Sequence, residues 1–447
     1  MDVPIEIEVE NIFGDFEHLF NRSARIFVGY SGGLDSTVLL HLTCKYAKAG
    51  RVTALHVNHG LSSDADLWEQ HAERQSDELS ANFEAHRVSC QARSNTEALA
   101  RDARYGVFEK TLAEDDILLL AHHADDQAET VMYNLLRGSG STGMSGIPVT
   151  RDLGLGRLLR PLLGRTKAQI KSYATRHRLK WIEDESNLDT SFDRNYLRHR
   201  ILPLIAKRWA GHQNRIAITA SQSKNDKSLA KSIFLNDLAK LDFRNDRAGI
   251  SFCAKKMSLL EAIRQKNIIR QLPGELKLSL PSTRVIDEVF DVLLNARSDA
   301  SPEVKADRCV FRRYRNRVYL LRVGKRHSIC PKNCINWELK KMLVLPGGGS
   351  VVAESIDSQG IRLGEVTSLE IRFRLGGERC RPSGRRHSQT LKKLFQEYAL
   401  EPWWRSSIPL FFMHNELVAV GDLWVCEGWE TEKGEKGLKI HWQVNSL

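Results

Sequence analysis

The sequence predicts an α/β protein: a doubly wound, mostly parallel sheet, followed by a mainly helical domain and a small α+β C-terminal domain. Three observations lead there. Over the first two hundred residues short apolar runs alternate with helical patterns, the signature of a parallel sheet covered on both faces. The strand-like run Ile26-Phe27-Val28-Gly29-Tyr30 passes through Ser31-Gly32-Gly33-Leu34-Asp35-Ser36 into the helical stripe Thr37-Val38-Leu39-Leu40-His41-Leu42. After Pro203 the pattern changes to charged amphipathic helices and then to short strands.

Taken in order, strands are expected at Ile26 to Tyr30, Val52 to Asn58, Ala85 to Ser89 and Ile117 to Ala121, with helices over 35–48, 64–81, 95–113 and 125–137. Ligands of such sheets sit at the carboxyl ends of the strands. The Ser31 to Ser36 loop, Asn58-His59-Gly60 and His122-His123 should therefore share one rim. Further helices are expected over 222–240, 257–271 and 283–295, the last behind the cap-like Ser282. Arg308 to Tyr314 and Arg317 to Arg322 read as a basic hairpin, and Leu345-Pro346-Gly347-Gly348-Gly349-Ser350 as a turn or linker. This divides the chain into domains at 1–215, 216–325 and 326–447.

The 447 residues carry 66 Lys and Arg against 55 Asp and Glu, a formal charge of +11, which favours a polyanionic partner. No run reaches the roughly 18 apolar residues of a membrane span, and Met1-Asp2-Val3-Pro4-Ile5-Glu6 is too acidic for a signal peptide. A cytoplasmic protein without membrane contact is expected. The eight cysteines, at 44, 90, 253, 309, 330, 334, 380 and 426, contain no C-x-x-C pair, so they read as reduced structural thiols.

The strand, glycine pair and helix around Ser31 to Ser36 form a phosphate site, in which backbone N–H groups converge on an anion at a helix N-terminus. No Lys follows the glycines, so γ-phosphoryl transfer is not indicated. Ser31, Ser36 and Thr37 offer hydroxyls. Asp35 would repel a phosphate unless a cation such as Mg²⁺ stood between them. The second cluster is His122-His123-Ala124-Asp125-Asp126-Gln127-Ala128-Glu129-Thr130. On a helix starting near Asp125, Asp126 and Glu129 are three apart and Asp125 and Glu129 four apart, so carboxylates share a face. Such a patch binds an ammonium or a metal.

The hexapeptide loop resembles that of the pyrophosphatase-loop ATP enzymes, which cleave ATP between the α- and β-phosphates. Together with H-H-A-D-D-Q-A-E-T, Arg160-Pro161-Leu162-Leu163 and Trp181 to Asn187 running to Arg194-Asn195-Tyr196-Leu197-Arg198, it resembles the tRNA(Ile)-lysidine synthetases. Gly376-Gly377-Glu378-Arg379, Pro382, Gly384-Arg385, Leu391 to Glu397 and Pro402-Trp403 extend the likeness, while Glu401 stands where a second proline is expected and Asp422 interrupts a Gly-Leu stretch.

The resemblance implies that ATP adenylates the wobble cytidine of a CAU-anticodon isoleucine tRNA at its C2 oxygen and that free lysine displaces AMP, forming lysidine. ATP would be held by Ser31, Gly32, Gly33, Leu34, Asp35 and Ser36, with Mg²⁺ on Asp35. Lysine's amine, with a reference pKa of about 10.4, must lose its proton to attack. Asp126 and Glu129 are assigned to the ammonium, Arg194 to the lysine carboxylate, and Asp35, His122 and Asp126 to catalysis. Arg198 is assigned to tRNA, as are Arg379, Arg385, Arg386, Lys392 and Lys393, which lie where nine Arg or Lys face three Glu between Ile371 and Arg405. Leu391, Leu394, Phe395 and Tyr398 fall at helical spacing behind cap-like Ser388, turning Lys392 and Lys393 outward. Trp403 and Trp404 fit core packing better than base stacking. Two alternatives are a tRNA-thiolating enzyme of the same loop class, for which neither Cys44 nor Cys90 sits in a motif, and a non-enzymatic RNA-binding protein, which leaves the first domain unexplained. Monomer and homodimer are both open.

Overall fold

The computed structural model describes residues 10–47, 50–60, 64–88, 96–183, 189–294, 296, 300, 302–324, 334–346, 349–357, 360–362, 364, 367–432 and 434–444. The acidic start, Cys90, Cys330, Gly347, Gly348 and the segment from Asp184 to Asn187 lie outside them. The chain divides into two compact units, Met1–Leu229 and Ala230–Leu447.

The first unit opens with α1 (Glu10–Phe13) and α2 (Glu17–Arg22), then alternates β1 (Ile26–Gly29), α3 (Leu34–Tyr46), β2 (Val52–Asn58), α4 (Ala65–Glu78), β3 (Asn82–Arg87), α5 (Thr96–Thr111), β4 (Ile117–Leu119) and α6 (Ala124–Leu136). After α7 (Ser141–Met144) come β5 (Thr150–Leu153), β6 (Gly156–Leu159), α8 (Lys167–Arg176), α9 (Asp193–Tyr196), a π-helical turn (Leu197–Ile201), α10 (Leu202–Arg208) and α11 (His212–Leu238). The sheet order is β3-β2-β1-β4-β6-β5, with only β5 antiparallel to its neighbour. Ile26 and Val28 pack on one face with Val38, Leu39 and Leu42 of α3, whereas Phe27 packs on the other with Phe108 and Leu112 of α5. A strand buried on both faces reads as continuously apolar, which is why β1 stood out in the sequence.

The winding places the site. From β1 the chain moves outward through β2 and β3, then returns to β4 on the opposite side of β1. The crevice at the carboxyl ends of β1 and β4 is thus a topological switch point, where open α/β sheets bind ligands. β5 and β6 were not anticipated. Thr150-Arg151-Asp152 is an exposed, charged stretch without alternation, and its hairpin turns on Gly154, at φ +59, where a Cβ would lie 2.6 Å from the Glu109 carbonyl oxygen.

The second unit holds β7 (Arg244–Asp246), β8 (Gly249–Cys253), α12 (Ala254–Met257), α13 (Ala262–Glu275), α14 (Thr283–Glu288), which continues as a π-helical turn (Val289–Leu294), β9 (Glu303–Ala306), β10 (Cys309–Tyr314) and β11 (Arg317–Arg322). Helical residues outnumber strand residues here, and the expected basic hairpin is the centre of a five-stranded sheet, β7-β8-β11-β10-β9. Ser282 caps α14 by accepting from Val285 N–H. The remainder is β12 (Ile335–Glu338), β13 (Leu343–Val344), β14 (Ser350–Asp357), β15 (Ser368–Arg372), β16 (Arg379–Cys380), β17 (Gln389–Thr390), α15 (Leu391–Glu397), β18 (Leu410–Met413), β19 (Glu416–Val420), β20 (Trp424–Val425) and β21 (Lys436–Gln443). α15 starts directly after Thr390, so Ser388 is not its cap. Among the described residues no helix is long and apolar enough to cross a membrane.

Candidate active site

The turn after β1 is made by Gly32, whose φ of +79 suits glycine, and by Gly33, which is extended and ends at α3. Ser36 Oγ donates to the Gly33 carbonyl at 3.0 Å and lies 3.1 Å from Ser31 Oγ; Thr37 Oγ1 donates to the same carbonyl at 2.9 Å. Ile182 N–H donates to Gly32 O at 2.9 Å and buttresses the loop from behind, a contact no local sequence signal announces. Gly33 supplies no side-chain cap. The first-turn N–H groups of a thirteen-residue helix are left to an anion.

Beside this loop, His123 ends the segment after β4 and is the N-cap of α6. Its Nδ1 accepts from Asp125 N–H at 3.2 Å, while Asp126 Oδ2 accepts from His123 N–H at 2.9 Å. His123 Nε2 lies 3.6 Å from Asp35 Oδ2 and 3.5 Å from Asp126 Oδ2. Burial disfavours a charged ring, but Asp125, Asp35 and Asp126 outweigh it and raise the pKa of His123 to about 10. Protonation at Nδ1 would cost the capping bond, so the ring is held between its cap and three acids. Asp125 is half-buried, yet His123, Lys167 N–H and Gln213 hold it well below the ordinary carboxylate range. Asp35 Oδ1 is buried and has no partner among the described residues. An acceptor of that kind at an anion-binding helix end fits a cation.

The π-helical turn at Leu197–Ile201 carries Arg198 into this cluster. Arg198 Nε and Nη2 donate to Glu129 Oε1 and Oε2 at 2.6 and 2.9 Å, and Nη2 reaches Asp126 Oδ1 at 3.3 Å. Burial raises the pKa of Glu129 above its ordinary 4.5, opposing ionisation, whereas for Arg198 the Glu129 contact overcomes burial and raises it. The bidentate geometry decides between these: it is that of an ion pair.

Comparison with known proteins places this arrangement. A PP-loop domain model matches residues 1–205, a TilS substrate binding domain model 253–319 and a TilS substrate C-terminal domain model 369–442. The tRNA(Ile)-lysidine synthase of Coxiella burnetii is 36% identical over 93% of this chain and 92% of its own length. That of Pseudomonas fluorescens is 37% identical over 93% and 92%, and that of Photorhabdus laumondii 33% over 98% and 99%. The chain belongs to the tRNA(Ile)-lysidine synthase family. It is an enzyme, a ligase of the PP-loop class that uses ATP.

Within this lysidine synthase fold three assignments change. His122 does not join the acids: its Nδ1 accepts from Arg160 Nε at 3.2 Å, and burial together with Arg160, Arg101 and Arg104 lowers its pKa to about 3. A ring with that pKa is a poor base at neutral pH, and the imidazole among the carboxylates is His123. Both oxygens of Glu129, expected on the lysine ammonium, accept from Arg198. Arg198, expected on tRNA, is directed into the acidic cluster, on Glu129 and Asp126. Arg194, on α9, makes no ion pair with Asp126 or Glu129. Cys44 is half-buried with its thiol raised to about 11 by burial, which suits a structural thiol.

In the second unit Arg386, Lys392 and Lys393 are exposed, as is Arg379, which donates to Ser388 O at 3.0 Å. Arg385 is paired with Glu397 and lies 5.4 Å over the Tyr398 ring. Trp404 is core; Trp403 packs edge-on to Tyr319 with Arg312 over its ring.

Proposed function

We propose that the protein ligates L-lysine to C2 of the wobble cytidine of CAU-anticodon tRNA(Ile), converting ATP to AMP and pyrophosphate and forming lysidine. The observation that carries this is the shared rim: the anion-binding end of α3 and the Asp35, His123, Asp126, Arg198 cluster stand side by side at the switch point between β1 and β4. The cytosine C2 oxygen is a poor leaving group, so adenylation must come first, with pyrophosphate held by Ser31 to Ser36. Mg²⁺ would be held by Asp35, where it would offset phosphate charge. Asp126, still 21% exposed, faces the incoming amine and can take its proton. Arg198, fixed by Glu129, keeps Nη1 for the lysine carboxylate, a fork-to-carboxylate contact that Arg makes well. Glu129 then acts through Arg198.

The exposed Arg379, Arg386, Lys392 and Lys393 are assigned to tRNA phosphates. On this reading 1–215 is the catalytic domain, and 216–325 and 326–447 receive the tRNA, in the cytoplasm. The deciding experiment incubates the protein with labelled lysine, ATP and CAU-anticodon tRNA(Ile). Label in the RNA that depends on ATP and on that anticodon is expected; unlabelled RNA with active protein would remove the proposal.

A further inference from the structure

Arg160 is 3% exposed, and among the described residues its hydrogen bonds go to neutral groups: the Pro148 carbonyl at 2.7 Å, the Tyr105 hydroxyl at 3.2 Å and His122 Nδ1 at 3.2 Å. Other arginines of this unit have acids. Arg25 is on Asp116 and Arg198 on Glu129. A buried guanidinium without a counter-charge is costly, and its neighbours make the cost greater. The Arg101 guanidinium lies 5.2 Å from the Tyr105 ring centre and that of Arg151 5.0 Å from it. Among the described residues no carboxylate bonds to Arg101, Arg151 or Arg160. The positive field is strong enough to hold Tyr105 below its ordinary value against the effect of burial, and to help hold His122 neutral. At the same rim His59 Nδ1 is buried and has no hydrogen-bond partner among the described residues, and Arg104 acts on both His59 and His122.

We propose that Arg101, Arg151 and Arg160, gathered around Tyr105 at the carboxyl end of β6, bind a phosphate oxyanion. Local rules of charge pairing are broken mainly where a ligand completes them. Three planar donor groups suit a phosphate. Tyr105 Oη accepts from Arg160 and so directs its own hydrogen elsewhere. Through the bond from Arg160 to His122, whose chain neighbour is His123, the pocket adjoins the acidic cluster. If the proposed function holds, the phosphate comes from one of two sources: the α-phosphate of the nucleotide, or a phosphodiester of the tRNA next to the reacting base.

The full-length protein carrying Arg101→Gln and Arg151→Gln tests this, because both residues are exposed and the fold should survive; Arg160→Lys is the second variant. Inorganic phosphate should raise the melting temperature of the wild type more than that of the double variant, a reading independent of the enzyme's function. With an RNA phosphodiester as occupant, the logarithmic salt slope of tRNA binding falls by about 0.7 to 0.9 per lost contact and ATP affinity is unchanged. With a nucleotide phosphate as occupant, ATP affinity without RNA drops roughly ten- to a hundredfold and the slope stays. Equal phosphate gain in both proteins, with ATP affinity and salt slope unmoved, overturns the proposal. An effect confined to lysine saturation also overturns it, since the occupant would then be a carboxylate. Failure of the wild type to label tRNA would count against the proposed function and leave the phosphate comparison to decide the pocket.

Discussion

Replacing Arg198 by Ala should destabilise the first unit, more so at high pH than at low. The change strands Glu129, whose side chain is 5% exposed and whose two oxygens lose their donors together. Breaking a buried pair from one side costs about 3 to 5 kcal/mol; because Arg198 itself is 29% exposed, the low end, about 3 kcal/mol, is the expectation. At 2 to 4 °C per kcal/mol for a unit of this size, the melting temperature should fall by about 6 to 12 °C at pH 8. The pH sign follows from burial. Glu129 already titrates above 4.5, and without Arg198 it must titrate higher still. A carboxyl raised above its unfolded value leaves stability intact below 4.5 and removes it as pH rises through the folded pKa, so the deficit should widen from pH 5 to pH 8. Adding Glu129→Gln removes the stranded charge and should recover part of the loss at pH 8. Thermal or denaturant unfolding of the three proteins at both pH values is the assay. A deficit under about 0.5 kcal/mol at pH 8, or one that does not grow with pH, would refute the account of a buried ion pair.

Asp35→Ala should abolish pyrophosphate release while leaving tRNA affinity within a few-fold, checked by pyrophosphate detection and filter binding in parallel; near-normal release would remove Asp35 from the reaction. Arg386, Lys392 and Lys393 changed together to Ala should lower the salt slope of tRNA binding by about 2 to 3, at 0.7 to 0.9 per phosphate contact; an unchanged slope would make them a solvated face. Because His122 titrates near 3, His122→Gln should leave the shape of the pH–rate profile between pH 6 and 8 as in the wild type. It should also blunt the wild type's loss of stability as pH falls below 6.5, since a histidine whose folded pKa is lowered stabilises only above its unfolded value.

The sheet was legible because β1 and β4 are buried on both faces and so carry unbroken apolar runs, and because a glycine pair between a strand and an apolar stripe has few other uses. The edge hairpin of β5 and β6 was not, since an exposed charged strand resembles a loop. The acids were placed correctly on one helix face by spacing alone, and their proximity to Ser31 to Ser36 followed from the strand-end rule. What spacing cannot supply is partnership across the chain. Glu129 meets Arg198, 69 positions away, because a π turn re-aims one helix; Ile182 braces Gly32 from 150 positions away. Neighbouring histidines diverge for the same reason. His123 caps α6 among acids, whereas His122, one residue earlier on an extended chain, faces Arg160 and its cationic pocket. Fold class and chemical inventory were readable from the chain because they depend on periodicity and local motifs. Which acid is paired, which imidazole lies among the carboxylates and which arginine has no carboxylate partner among the described residues depend on distances that only folding creates.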